Sequence, residues 1–190
     1  MATYQAIGSV AEAVRRLLEQ SWPSHLGGLD PQFEVYNGAN FSEPMTTGIS
    51  VFVYQVGVDP VQRTLPPYAP NAKRPLPVCI CLLLTAWARN ASSEHTLLGW
   101  AMRAIEDNPT LSSGFLNAAV PGVFRADETI ELVAAQLSND EVFQLWQAMP
   151  TTLQLSMPYQ ARVLRIESDV VEPVGAPIHI RELRYAEAGR

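Results

Sequence analysis

The stretch that most constrains this chain spans residues 77–88, reading PLPVCICLLLTAWA with Pro75 and Leu76 included, and it is apolar at nearly every position. As a strand it places Cys79, Cys81, Leu83 and Trp87 on one side and Val78, Ile80, Leu82, Leu84 and Ala86 on the other, so neither side can face water. A helix would bury the same run, but Pro75 and Pro77 open it. A second run, GISVFVYQV at residues 48–56, decides for a sheet. It is rich in β-branched and aromatic residues and is again apolar on both faces, with Ile49, Val51 and Val53 against Phe52, Tyr54 and Val56. Two such strands form the middle of a sheet, and the rest of the chain must cover it.

Helical spacing over residues 3–20 turns Ile7, Val10, Ala11, Val14, Leu17 and Leu18 inward and Glu12, Arg15, Arg16 and Glu19 outward. Residues 32–36 read as a short strand ended by Asn37-Gly38, and residues 37–47 as polar and irregular. After the central strand, Ser92 or Ser93 caps a second helix with Leu97, Leu98, Ala101, Met102 and Ile105 inward, stopped at Asn108-Pro109. Residues 110–126 are mixed, anchored by Leu111, Phe115 and Leu116, with a turn at Pro121-Gly122. Residues 129–136 read as a strand through Ile130, Leu132 and Ala134. Ser138 and Glu141 form a capping box that starts a third helix, with Val142, Leu145, Trp146 and Met149 on its buried face. Residues 153–167 read as a long strand with Tyr159, Ala161 and Val163 on one face and Leu164 and Ile166 on the other, and Pro158 predicts a bulge or an edge near its start.

The expectation is one α/β (α+β) domain over residues 1–168. Its mixed, largely antiparallel sheet has about four to five strands flanked by two to three helices. Residues 169–190 form a C-terminal arm, in which IHIRELRY alternates like a strand with no partner in the chain. The loop GVDPVQRTLPPYAPNAKRP carries prolines at 60, 66, 67, 70 and 75. Each ring fixes φ and removes a donor, so the loop reads as a stiff, exposed excursion. Such a length inside a domain is either functional or a plain linker.

Chemistry is sparse. The net charge of −6 argues against a phosphate-neutralising module, so no nucleic acid is expected as partner. Hydrophobic residues reach 47% against 17% charged, which hints that part of the apolar surface belongs to neighbouring subunits. No run is long and apolar enough to enter a membrane, and residues 1–18 lack a signal-peptide pattern, so assembly in the cytoplasm is expected. Cys79 and Cys81 are too close for an ordinary disulfide and read as reduced core thiols. His25, His95 and His179 stand far apart, so no metal is expected. No G-x-S-x-G, phosphate-loop or dinucleotide pattern occurs, and the acid pairs Glu106-Asp107 and Asp127-Glu128 sit where solvated carboxylates are ordinary. No catalytic residue and no cofactor is expected.

Five segments together resemble the cap, or tail-terminator, proteins of phage-tail-like contractile injection systems. They are VRRLL at 14–18, GISVFVYQV, the Arg74-Pro75 lead-in to the long apolar strand, LSNDEVFQLWQAM at 137–149 and LQLSMPYQARVLRIES at 153–168. The resemblance spans residues 4–168 and lies in their order and spacing. It implies a non-enzymatic structural protein, six copies of which form a ring on the far end of an inner tube and outer sheath, in a particle that is released or held at a membrane. The sequence departs from the family in its proline-rich loop and its tail. Both are places to meet tube or sheath, so Arg63, Tyr68, Lys73 and Arg74 in the loop and Ile178, Ile180, Arg181 and Arg184 in the tail are the interface candidates. An enzyme or small-molecule-binding domain with a site at the strand ends is the alternative, and fold alone does not separate the two.

Overall fold

The computed structural model describes residues 2–23, 28–60, 62–64 and 73–170. At its centre β2 (Gly48–Val58) and β3 (Leu76–Trp87) pair antiparallel, as the two apolar runs require. β6 (Ser156–Ile166) lies antiparallel along the other side of β3, followed by β5 (Thr129–Ala134) and β4 (Thr110–Ser112). β1 (Gln32–Tyr36) runs parallel to β2, giving the order β1-β2-β3-β6-β5-β4. The helices are α1 (Ala6–Ser21), α2 (Ala91–Asp107), the one-turn α3 (Ser113–Leu116) and α4 (Asn139–Gln147). The mixed, largely antiparallel sheet and the α+β class agree with expectation. The additional strand and helix, β4 and α3, both come from the stretch at 110–126, where each is too short to show a period.

One face of the sheet carries the main core. Val78, Ile80, Leu82, Leu84 and Ala86 of β3 and Ile49 and Val51 of β2 meet α1 and α2 there. α1 buries Ala6, Val10, Ala11, Ala13, Val14, Leu17 and Leu18, a wide stripe whose alanines let the helix lie close to the strands. α2 is capped by Asn90, whose Oδ1 accepts from the Ser93 amide at 2.9 Å, rather than by a serine. Its inward set includes Ala104, while Met102, expected inward, is 37% exposed. Arg16 also departs from expectation. Its guanidinium lies 4.5 Å over the Phe115 ring and donates to the Phe115 carbonyl, tying α1 to α3.

The opposite face holds a smaller aromatic cluster of Tyr36, Phe41, Leu83, Trp87 and Trp146. Phe41 comes from the polar stretch expected to be irregular. Asn37 and Asn40 exchange side-chain bonds with each other's turn, folding Gly38–Ser42 into a 3-10 helix that points Phe41 under the sheet, fully buried. Its ring packs edge-on against Tyr36, Phe52 and Trp146 at 5.4, 5.2 and 5.9 Å. The Ser138/Glu141 capping box forms as the sequence predicts and starts α4, which delivers Trp146. Ser50, Thr85 and Ser156 make a row of hydroxyls across β2, β3 and β6. The outer two accept the indole N–H groups of Trp87, at 2.8 Å, and Trp146, at 3.3 Å.

Two bulges redirect side chains that strict alternation misplaces. The register of β2 against β3 slips between Val53 and Gln55, leaving Tyr54 as the extra residue. Val56 therefore pairs with Ile80, on the face opposite to the one expected. In β6 the slip falls between Ala161 and Leu164, with Val163 at φ 72°. Tyr159, Ala161 and Leu164 thus share the main core, while Val163 turns out and is 44% exposed. Of the bulge or edge expected at Pro158, the edge occurs: Pro158 pairs in register with Leu83, and β5 pairs with β6 only from Tyr159 onward, so the start of β6 lies beyond the β5 ladder. Gly48, at φ +153°, is a necessity of the topology, since a Cβ there would lie 2.0 Å from the Gln32 carbonyl oxygen. β1 can approach β2 this closely only at glycine.

Candidate interaction surfaces

Chain direction and register bring three segments to one end of the sheet. β2 leaves at Val58, β3 begins at Leu76 opposite Ile166, and β6 ends there before Ser168. The Ala2 amide donates to the Arg165 carbonyl at 3.0 Å and the Glu167 amide to the Ala2 carbonyl at 2.8 Å, so the N-terminal residues clamp the point where the tail departs. Arg125 reinforces it through an ion pair with Glu167 at 2.7 Å. The short helix Gln62–Thr64 is fixed to the same end, because the Arg165 Nε donates to Gln62 Oε1 at 3.1 Å and the Asp59 amide donates to the Pro77 carbonyl at 3.0 Å.

Of the interface candidates, Arg63, Lys73 and Arg74 are brought to this end and are exposed. Tyr68, Ile178, Ile180, Arg181 and Arg184 lie outside the described residues. Sequence reasoning missed the apolar members of the surface. Val56, Val58 and Leu76 are each more than 40% exposed, and their registers place all three on the α1 side of the sheet, beyond the main core. The Tyr54 bulge is what turns Val56 there. Exposed aliphatic groups beside guanidinium and ammonium groups suit a protein partner with an apolar patch and an acidic rim.

A second surface lies at the β1 edge of the sheet. Trp22, Phe33 and Trp100 pack there, with Trp22 and Trp100 edge-on at 4.7 Å. A cleft of about 450 Å³ opens beside them, lined by Glu19, Trp22, Asp30, Pro31, Gln32, Phe33 and Glu34.

Burial pushes the Cys79 thiol above its ordinary pKa, which keeps it protonated and a poor nucleophile or metal ligand. Burial, with Cys81 beside it, pushes the Tyr54 hydroxyl up to about 12. Glu141 is held below the usual carboxylate range by its hydrogen bonds from Ser138. Asp107 pairs with Arg103, and Glu128 accepts from the Arg125 amide at 2.9 Å. Among the described residues no group of three or more His, Cys, Asp or Glu side chains is placed to hold a metal ion, and no helix is long and apolar enough to cross a membrane. His95 is exposed near the N-terminal end of α2. His25 and His179 are outside the described residues.

Comparison with known proteins gives a family and a fold. Residues 9–180 match the Pvc16 N-terminal domain. No curated protein matches the sequence. The fold is similar to the sheath/tube terminator of the PVC extracellular contractile injection system in its extended state, with a TM-score of 0.60 and 16% identity over 98% of this chain and 66% of that one. It is also similar to the tube-terminating cap of the anti-feeding prophage, with a TM-score of 0.59 and 14% identity over 93% of this chain and 60% of that one. The chain therefore spans less than two thirds of either structure's length.

Proposed function

The chain belongs to the Pvc16 N-terminal domain family, and from that premise we propose that it caps the tail of a contractile injection system, closing the far end of the inner tube and sheath as a ring of identical copies. The observation that carries this reading is a fold shared along 98% of the chain with a protein described as a sheath/tube terminator. The physical need is general. A helical stack of identical subunits presents the same adhesive end after every layer, so growth stops only when a different protein covers that end without regenerating it. A cyclic ring that adheres on one side does so, and six copies is the number that the resemblance to tail-terminator proteins implies.

In this reading the protein is structural and not catalytic. Arg63, Lys73 and Arg74, with Val56, Val58 and Leu76, form the surface that meets tube or sheath, and the tail leaves from beside it. Assembly takes place in the cytoplasm of the producing cell, and the particle carries the cap with it. The test is to delete the gene in that cell and image the particles. Uncapped, irregularly long or prematurely contracted tails are expected. Normal, capped tails of unaltered length and sheath stability would overturn the proposal.

A further inference from the structure

We propose that the β1 edge is a docking site for a strand from a second copy of this chain, and that the docking segment is the tail sequence IHIRELRY, residues 178–185. The inference rests on the ring reading for one point only, that copies of the chain stand side by side.

Among the described residues β1 has a strand neighbour on one side alone, β2. The Gln32 amide donates to the Thr47 carbonyl at 2.9 Å, which directs the backbone groups of Gln32, Glu34 and Tyr36 toward β2. In a parallel pair the intervening residues point the other way, so the N–H and C=O groups of Phe33 and Val35 face outward. These are the groups an added strand uses. Among the described residues nothing bonds to them across the edge.

Side-chain chemistry selects the occupant. Phe33 and Val35 share the α1 face, opposite Ile49 and Val51, and Val35 is 39% exposed. Glu34 is exposed on the other face, and Asp30 is exposed close by in the cleft. A matching strand alternates aliphatic residues with cations. The tail does this where Ile178 and Ile180 fall on one side and His179 and Arg181 on the other. Seated with its isoleucines beside Phe33 and Val35, it sets His179 and Arg181 against Glu34. Opposite charges facing across a strand pair stabilise it, and like charges oppose it.

Distance selects a neighbouring copy over the same chain. Glu34 pairs with Ser50, which pairs with Thr85, whereas the tail leaves beside Leu76. Nine residues of rise along β3 and three strand spacings put the two points about 33 Å apart, at opposite corners of the sheet. About twelve residues separate Ile166 from Ile178, two of them prolines, and they would have to pass around the molecule nearly taut. The edge of an adjacent copy carries no such restriction.

The experiment uses the purified 190-residue chain, so it needs no particle. Glu34→Cys and His179→Cys are made in separate chains, mixed and gently oxidised, with the unaltered chain as the control for Cys79. Disulfide-linked pairs joining position 34 of one copy to position 179 of another are expected, increasing with concentration. In the unaltered chain, hydrogen exchange at Phe33, Val35 and residues 178–185 should slow together over the same range. Glu34→Lys should weaken association about fivefold, and adding Arg181→Glu should restore it. A third chain carries both cysteines: a link that forms only within that chain, or no link in the mixture and no slowing at any concentration, overturns the proposal. Failure here leaves the deletion phenotype untouched, and normal tails after deletion leave this contact untouched, so the two readings fail separately.

Discussion

The two faces of the sheet are built by different means. On the α1 and α2 side, aliphatic residues from two long strands and two helices make one continuous layer, with Leu82, Leu84, Ile49 and Ile80 at or near zero exposure. On the other side, five buried residues, four of them aromatic, are gathered from β1, β3, the 3-10 turn and α4 into a plug that covers one end of the sheet. The first face is held by area and the second by ring geometry and indole N–H bonds. The first should thus behave as the folding core, and the second as a lid whose parts yield together.

The largest effect is expected from Leu84→Ala. Leu84 is fully buried between α1, α2 and the neighbouring strands, and truncation should cost about 4 kcal/mol by chemical unfolding. Exchange protection should fall in all strands at once. Trp146→Ala should cost about 3 kcal/mol. Its loss of protection should concentrate in α4 and the Gly38–Ser42 turn while α1 stays protected. Equal, global losses in the two variants would erase the distinction between core and lid.

Smaller effects probe the hydroxyl row. Ser50→Ala leaves the Trp87 indole N–H buried without its acceptor and should cost about 1 to 3 kcal/mol. Thr85→Val should be neutral or stabilising, because Thr85 Oγ1 is buried without a hydrogen-bond partner among the described residues. A cost above about 1 kcal/mol would show that this hydroxyl is bonded.

The smallest effect is at high pH. Tyr54 has a folded pKa of about 12 against an ordinary 10, so the folded state holds this proton more tightly than the unfolded chain does. Its contribution is intact below pH 10 and is lost as pH rises toward 12. Tyr54→Phe should flatten the fall in stability over that window, as read from unfolding midpoints. An unchanged slope would mean that the hydroxyl is solvated in the folded protein.

The legible parts of this fold were those with long periods. The two-sided burial of β3 follows from its composition alone, and α1 and the α4 capping box follow from spacing. The bulges were illegible for a physical reason. Alternation assumes one residue per step, and nothing in RVL or VYQ marks Val163 or Tyr54 as the extra one, because the slip is set by the partner strand. Phe41 was hidden because it is the only large apolar residue in a polar turn that Asn37 and Asn40 fold. Met102 was misplaced because the rotation of α2 is fixed by its packing on α1 and β3. For the candidate surface, the cations at 63, 73 and 74 were legible as a charged proline-rich loop. The apolar residues beside them were not, since exposure of Val56 depends on the bulge.

The central claim is a position, at the closed end of a tail, and subunit-resolved imaging of intact particles tests it most directly. Reconstruction of the tail end remote from the baseplate should show a single ring on the last tube and sheath layers, each copy fitting the six-stranded sheet with β6 and the β2–β3 end turned toward tube or sheath. Density for this fold repeated along the tail, located at the baseplate, or absent from a tail end that is nonetheless closed would contradict the account.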